Sequence, residues 1–142
     1  MPFPIDRDEI AKTEEMLGVR FPASHAERML RNNGGELNAV DDVWRLHPFR
    51  DSMNPARIAR TANDIATETR NWRTWPGAVQ AGVVIADNGT GDVLVLMPRP
   101  DQPDQLADAV YWWDHETGEL NSFAEGLAEL LNQDHADDQP RM

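Results

Sequence analysis

Asp114, Glu116 and Glu119 place three carboxylates close together in the chain, with His115 between the first two. Two such carboxylates can act as general acid and general base, as they do in glycosidases. Glu116-Thr117-Gly118-Glu119 is also a turn-forming run, and a solvated turn carries carboxylates without any catalytic role. His115-Glu116 opens the H-E-x-x-H zinc pattern, but Glu119 stands where the second histidine would have to be. A second acidic loop, Asp87-Asn88-Gly89-Thr90-Gly91-Asp92, invites a calcium reading. It fails the EF-hand pattern, because Gly89 takes a ligand position and Asp92 takes the position of the sharp-turn glycine. A single loop also lacks the tandem repeats of calcium-binding β-helices. His25, His47, His115 and His135 are widely separated, so neither a metal site nor a cofactor is expected.

Nucleophiles are scarce. The chain has no cysteine, which excludes a thiol nucleophile, a disulfide framework and cysteine-ligated metal. Its serines are Ser24, Ser52 and Ser122; the first and last read as helix caps, and none lies in G-x-S-x-G. Phosphate-loop and dinucleotide motifs are absent, and the single lysine is Lys12. A non-enzymatic protein is expected, with a small carboxylate hydrolase the most distant alternative. Tryptophans at 44, 72, 75, 112 and 113 could include a platform for a carbohydrate or peptide, although core packing explains most of them. On one strand, Trp112 and Trp113 must point to opposite faces.

Thirteen Lys+Arg against 25 Asp+Glu give a formal net charge of −12 over 142 residues. The segment 132–142 holds three aspartates and one arginine, so the rest carries 12 basic against 22 acidic residues and remains strongly acidic. Such a body repels nucleic acid and anionic membrane, which excludes both as direct partners. Its charge serves solubility or attraction to a basic protein, and composition alone does not separate the two. The start, Met1-Pro2-Phe3-Pro4-Ile5-Asp6, lacks the signature of a signal peptide, and the lack of cysteine fits a reducing cytoplasm. Asn88-Gly89-Thr90 matches the glycosylation sequon, which is idle without a secretory route.

The elements that must position these groups read as follows. Asp6 and Glu9 form a capping box for a first helix, with Ile10, Met16 and Leu17 on its apolar side, Glu14 and Glu15 outward, and Gly18 as its stop. A second helix starts at Phe21-Pro22, with Ser24 and Glu27 as another capping box and Ala26, Met29 and Leu30 inward. Asn33-Gly34-Gly35 ends it. Val43 to Leu46 is a short strand; Asn54-Pro55 starts a long third helix through Ile58, Ala62, Ile65, Thr69 and Trp72, carrying an Arg60 to Asp64 pair and a solvated arginine-rich face. Val83 to Ile85 and Val93 to Met97 form a hairpin at the centre of the sheet, apolar enough to need cover on both faces. The proline-rich stretch from Pro98 reads as an exposed acidic loop to residue 108, followed by a strand to Trp113. Ser122 and Glu125 cap a last helix bearing Phe123, Leu127, Leu130 and Leu131. The fold class is α+β, a small, mostly antiparallel or mixed sheet with a central hairpin, covered by about four helices. One domain is expected over 1–131, with an acidic, disordered tail over 132–142.

LGVRFPASHAERMLRNNGGEL at 17–37, VWRLHPF at 43–49, VVIADNGTGDVLVL, VYWWDHETGE and SFAEGLAELL, in this order, resemble the SUKH superfamily of Smi/Knr-type domains. The resemblance spans about residues 5–131 and implies an α+β domain that acts by binding. It further implies either a bacterial immunity protein that neutralises a toxin, often a nuclease, or a regulator of the kind found in cell-wall synthesis. The matching positions are Gly18, Phe21, Pro22, Asn33, Gly34, Gly35, Trp44, Gly91, Asp92 and Trp113-Asp114, which read as fold-makers; His25 departs, since the family more often has an aromatic residue there. A nuclease must present a basic groove, which an acidic protein can occupy. The candidate partner-binding residues are therefore Asp41, Asp42, Asp101, Asp104, Asp108, Asp114, Glu116 and Glu119, with Asp87 and Asp92 at the rim. The expected partner is a protein, a cognate basic toxin; the alternative is an adaptor or regulatory scaffold for a housekeeping protein.

Overall fold

The computed structural model describes residues 3–39 and 42–130. In chain order these form α1 (Arg7–Leu17), α2 (Ala23–Arg31), β1 (Glu36–Ala39), β2 (Asp42–Leu46), α3 (Pro55–Arg60), α4 (Ile65–Trp72), β3 (Val83–Asp87), β4 (Val93–Arg99), β5 (Gln102–Trp113) and β6 (Leu120–Ala124). The six strands make one antiparallel sheet in sequential order, β1 to β6, so the hairpin β3–β4 lies at its centre as its apolar composition requires. The α+β class stands.

The central strands are apolar throughout because each face of the sheet is covered. Val83, Ile85, Leu94 and Leu96 join Ile10, Met29, Trp44 and Phe49 in the larger core. Val84, Val93 and Val95 face the other way, onto Trp72 and Trp113. Trp112 and Trp113 take opposite faces: Trp112 packs edge-on to Trp44 and Phe123, and Trp113 packs on Trp72. Gly82 makes the second contact possible, since a Cβ there would stand 2.7 Å from Val95 Cγ1 and 3.0 Å from Trp72 Cζ3.

Several local expectations change. Neither capping box closes, for no side chain caps α1 or α2. Glu9 instead accepts from Ser52 Oγ (2.6 Å) and Lys12 (3.2 Å), and Pro22 occupies the N-cap of α2. Glu14 turns inward to accept the Phe21 N–H at 2.8 Å, whereas Met16 is exposed. Gly18 does cap α1, in the left-handed conformation at φ 72°.

The long third helix is two. Asn54 caps α3 through the Arg57 N–H, and Thr61 ends it. The Thr61 hydroxyl donates to Arg57 O and accepts from Asp51 N–H, while Asp64 caps α4 by accepting from Thr67 N and Oγ1. A cap inside an apolar stripe restarts the helix there, and it occupies the carboxylate expected to pair with Arg60.

The acidic loop expected over 98–108 is a second hairpin. Arg99 pairs with Gln102, and Pro98 sits where the register shifts, the kind of irregular position a strand proline accepts. Arg20 fills the other edge of β5, donating to Asp104 O and accepting from Leu106 N. Ser122 lies in β6, opposite Tyr111, and caps no helix; helix begins only at 127–130, where the description ends. The link after α2 also contains a strand, β1. The segment 132–142, expected to be a disordered tail, lies outside the described residues.

Candidate partner-binding surfaces

An antiparallel meander decides which acidic residues can act together. Ala39 pairs with Asp42, Arg45 with Asp87, Asp87 with Val93 and Val93 with Trp113. These pairings bring Asp42, the turn 87–92 and the turn 114–119 to one end of the sheet. Asn88 Nδ2 ties two of them together, donating to Asp42 at 2.9 Å. Asp101 and Asp104 lie at the other end, beyond the seven residues of β4, a separation of about 20 Å. Asp108 lies between, exposed along β5. The acidic candidates are therefore two groups, and Asp41 lies outside the described residues.

Asp87 and Asp92, expected at an acidic rim, are occupied internally. Asp87 accepts from His47 Nε2 at 2.7 Å and from Arg45 at 3.1 Å, and the His47 hydrogen bond, reinforced by Arg45, holds its carboxyl down at about 2. Asp92 is buried. One oxygen accepts from the backbone N–H of His115 at 3.0 Å and contacts its Nδ1 at 2.5 Å, and the other accepts from Trp112 Nε1 at 2.9 Å. Burial acts to raise this carboxyl, but the donors around it outweigh burial and hold it below its ordinary value. The same bond raises the His115 imidazole. Gly91, at φ 107°, lets the chain pass beneath this ring; a Cβ there would meet His115 Cγ at 3.0 Å.

Among the described residues, Asp42 and Asp114 are partly exposed and Glu116 and Glu119 exposed at this end. Asp114 organises the last turn, accepting Glu116 N–H through Oδ1 at 2.8 Å and Gly118 N–H through its carbonyl at 2.8 Å. Asp92, Asp114 and His115 place ligand-type atoms within 4.8 Å of one another. Protein donors already take up both Asp92 oxygens, so the cluster reads as a hydrogen-bonded turn. Beside it lies a recess of about 220 Å³ whose walls include Glu68, Asp87, Trp72 and the half-exposed Trp75. Asp101 at the far end is paired with Arg99 at 3.2 Å.

The resembling positions are structural in their surroundings. Phe21 stacks on His25 and meets Phe49 edge-on, Trp44 and Trp113 are each 1% exposed, and Asn33 holds the backbone of Phe49. Sequence reasoning missed one grouping. Phe3, Arg45, Arg57 and Arg60 converge on a cleft of about 310 Å³ beside Asn33-Gly34-Gly35. Its residues come from four separated segments, and only the fold joins them; the arginines of α3 had looked like a plain solvated face.

Among the described residues no helix is long and apolar enough to cross a membrane. No curated protein matches the chain. Compared with protein families, residues 4–133 match the SMI1 / KNR4 family (SUKH-1), and the chain thus belongs to this family of immunity-type and regulatory proteins, whose members are generally non-catalytic and engage other proteins.

Proposed function

We propose that this protein is a cytoplasmic immunity protein that binds and blocks a basic toxin, a nuclease by the chemistry of its surface, and that it does so without turnover. The observation that carries this reading is the gathering of Asp42, Asp114, Glu116 and Glu119 at one end of the sheet, on turns held by the hydrogen bonds from Asn88 to Asp42 and from His115 to Asp92. A rigid acidic surface steers a basic groove into register and raises the association rate. The neighbouring recess supports the same reading: a lysine or arginine entering it would meet the Trp75 ring and the carboxylate of Glu68. Asp101 and Asp104 lie at the other end of the sheet and Asp108 between the two, and in this reading none of the three takes part in the contact.

Co-expression tests the proposal. The gene beside this one should encode a large secreted protein with a variable C-terminal domain. That domain should be toxic alone and harmless when this chain is present. Toxicity undiminished by a soluble, folded chain would contradict the immunity reading and favour the regulatory adaptor.

A further inference from the structure

We propose that the cleft beside Asn33-Gly34-Gly35 is a carboxylate-binding site that takes an acidic side chain or the C-terminal carboxylate of a peptide. It holds an exposed guanidinium, that of Arg60, on a strongly acidic protein. Arg57 and Arg60 lie over the same Phe3 ring, their guanidinium carbons 4.7 and 4.4 Å from its centroid. Phe3 is itself fixed, because its carbonyl accepts the Asn33 N–H at 2.9 Å. Arg57 is further committed to Asp51 at 3.0 Å and to Pro4 O at 3.3 Å, which makes it part of the wall. Arg60 differs: it is exposed, and among the described residues no carboxylate pairs with it. A guanidinium lying on an aromatic face keeps its in-plane N–H donors for a ligand, and two parallel donors match the two oxygens of a carboxylate.

The ion pairs of the lining select the ligand. Arg45 is already paired with Asp87 and Arg57 with Asp51, which leaves Arg60 as the one uncommitted guanidinium among the described residues of the lining. One carboxylate matches that single guanidinium, whereas a phosphate dianion would bring a second negative charge towards Glu36 with no further free cation of the lining to meet it. At about 310 Å³ the cleft lies at the small end of ligand sites and suits one or two side chains. Pro48 and the Phe3 ring give the stem of such a residue an apolar wall.

The test is a titration of the intact protein followed by the arginine Nε–Hε NMR signals. The probes are N-acetyl-Gly-Glu-Gly-amide, N-acetyl-triglycine with a free C-terminus, N-acetyl-triglycine amide and inorganic phosphate. A saturable shift of Arg60 is expected with one or both carboxylate peptides and not with the amide; which of the two binds identifies the source of the carboxylate. Arg60→Gln should weaken binding by about tenfold or more, Arg60→Lys by less, and Arg70→Gln, outside the cleft on α4, not at all. Equal response to the amide, tighter binding of phosphate than of either carboxylate peptide, or no saturable shift would overturn the proposal.

Discussion

The side chain of Asn33 closes a two-hydrogen-bond ring on the backbone of Phe49: Nδ2 donates to the Phe49 carbonyl at 2.8 Å and Oδ1 accepts the Phe49 N–H at 2.8 Å. The pair is buried and joins the end of α2 to the segment after β2, 16 residues on. Asparagine alone among similar-sized residues offers a donor and an acceptor in this geometry. Asn33→Ala would leave both Phe49 groups unpaired and should cost about 2–4 kcal/mol in denaturant unfolding. Asn33→Asp should cost at least as much, because it sets a carboxylate oxygen against the carbonyl of Phe49.

His25 is 1% exposed, stacks on Phe21, meets Phe49 edge-on, and has no hydrogen-bond partner for either ring nitrogen. Burial, with Arg28 adding to it, lowers its pKa from 6.5 to about 3. The unfolded chain therefore binds a proton that the folded chain refuses between those values. Stability should fall by about 1.4 kcal/mol per pH unit on acidification through this window. His25→Phe, which supplies the aromatic residue usual in the resembling family, should flatten that limb and raise stability at neutral pH by about 1–3 kcal/mol. Urea unfolding at a series of pH values measures both.

Asp92 and His115 give a second pH dependence with two limbs. His115 is raised, so its contribution is fully present below the ordinary histidine value of 6.5 and is lost as pH rises through the folded value. Asp92 is lowered, so its contribution is present above the ordinary value of 3.8 and is lost as pH falls. Asp92→Asn should remove both limbs and return the His115 titration, followed by NMR, towards 6.5. An unmoved titration would show that the pair is not coupled.

How far the chain could be read without its structure depended on whether a signal was local. Gly18 stops α1, Asn54-Pro55 starts α3, and the Asn88-Gly89 hairpin lies in mid-sheet, because capping and turn chemistry act over a few residues. The break between α3 and α4 was not legible because the hydroxyl of Thr61 is engaged by Asp51, ten residues away, and Pro98 was misread because a register shift excuses a proline that would otherwise break a strand. Ser122 looked like a helix cap, but Phe123 packs on Trp44 and Trp112, and tertiary contact prevails over the local signal. Acidic residues were visible as charge, but their division between two ends of the sheet follows from strand order, which periodicity does not encode. The arginine cleft was invisible for the same reason.

Stopped-flow association with the toxic domain encoded by the neighbouring gene, measured against salt concentration, tests the central claim most directly. Two triple reversals to lysine carry equal charge changes: Asp114, Glu116 and Glu119 at the proposed face, and Asp101, Asp104 and Asp108 away from it. At about 0.1 M salt the first should slow association by about tenfold or more and flatten its salt dependence, while the second should leave the rate within about twofold, since Asp101, Asp104 and Asp108 each lie more than the Debye length of about 10 Å from the proposed face. Equal slowing by both variants, or no slowing by the first, would contradict the assignment of the acidic end of the sheet as the binding face.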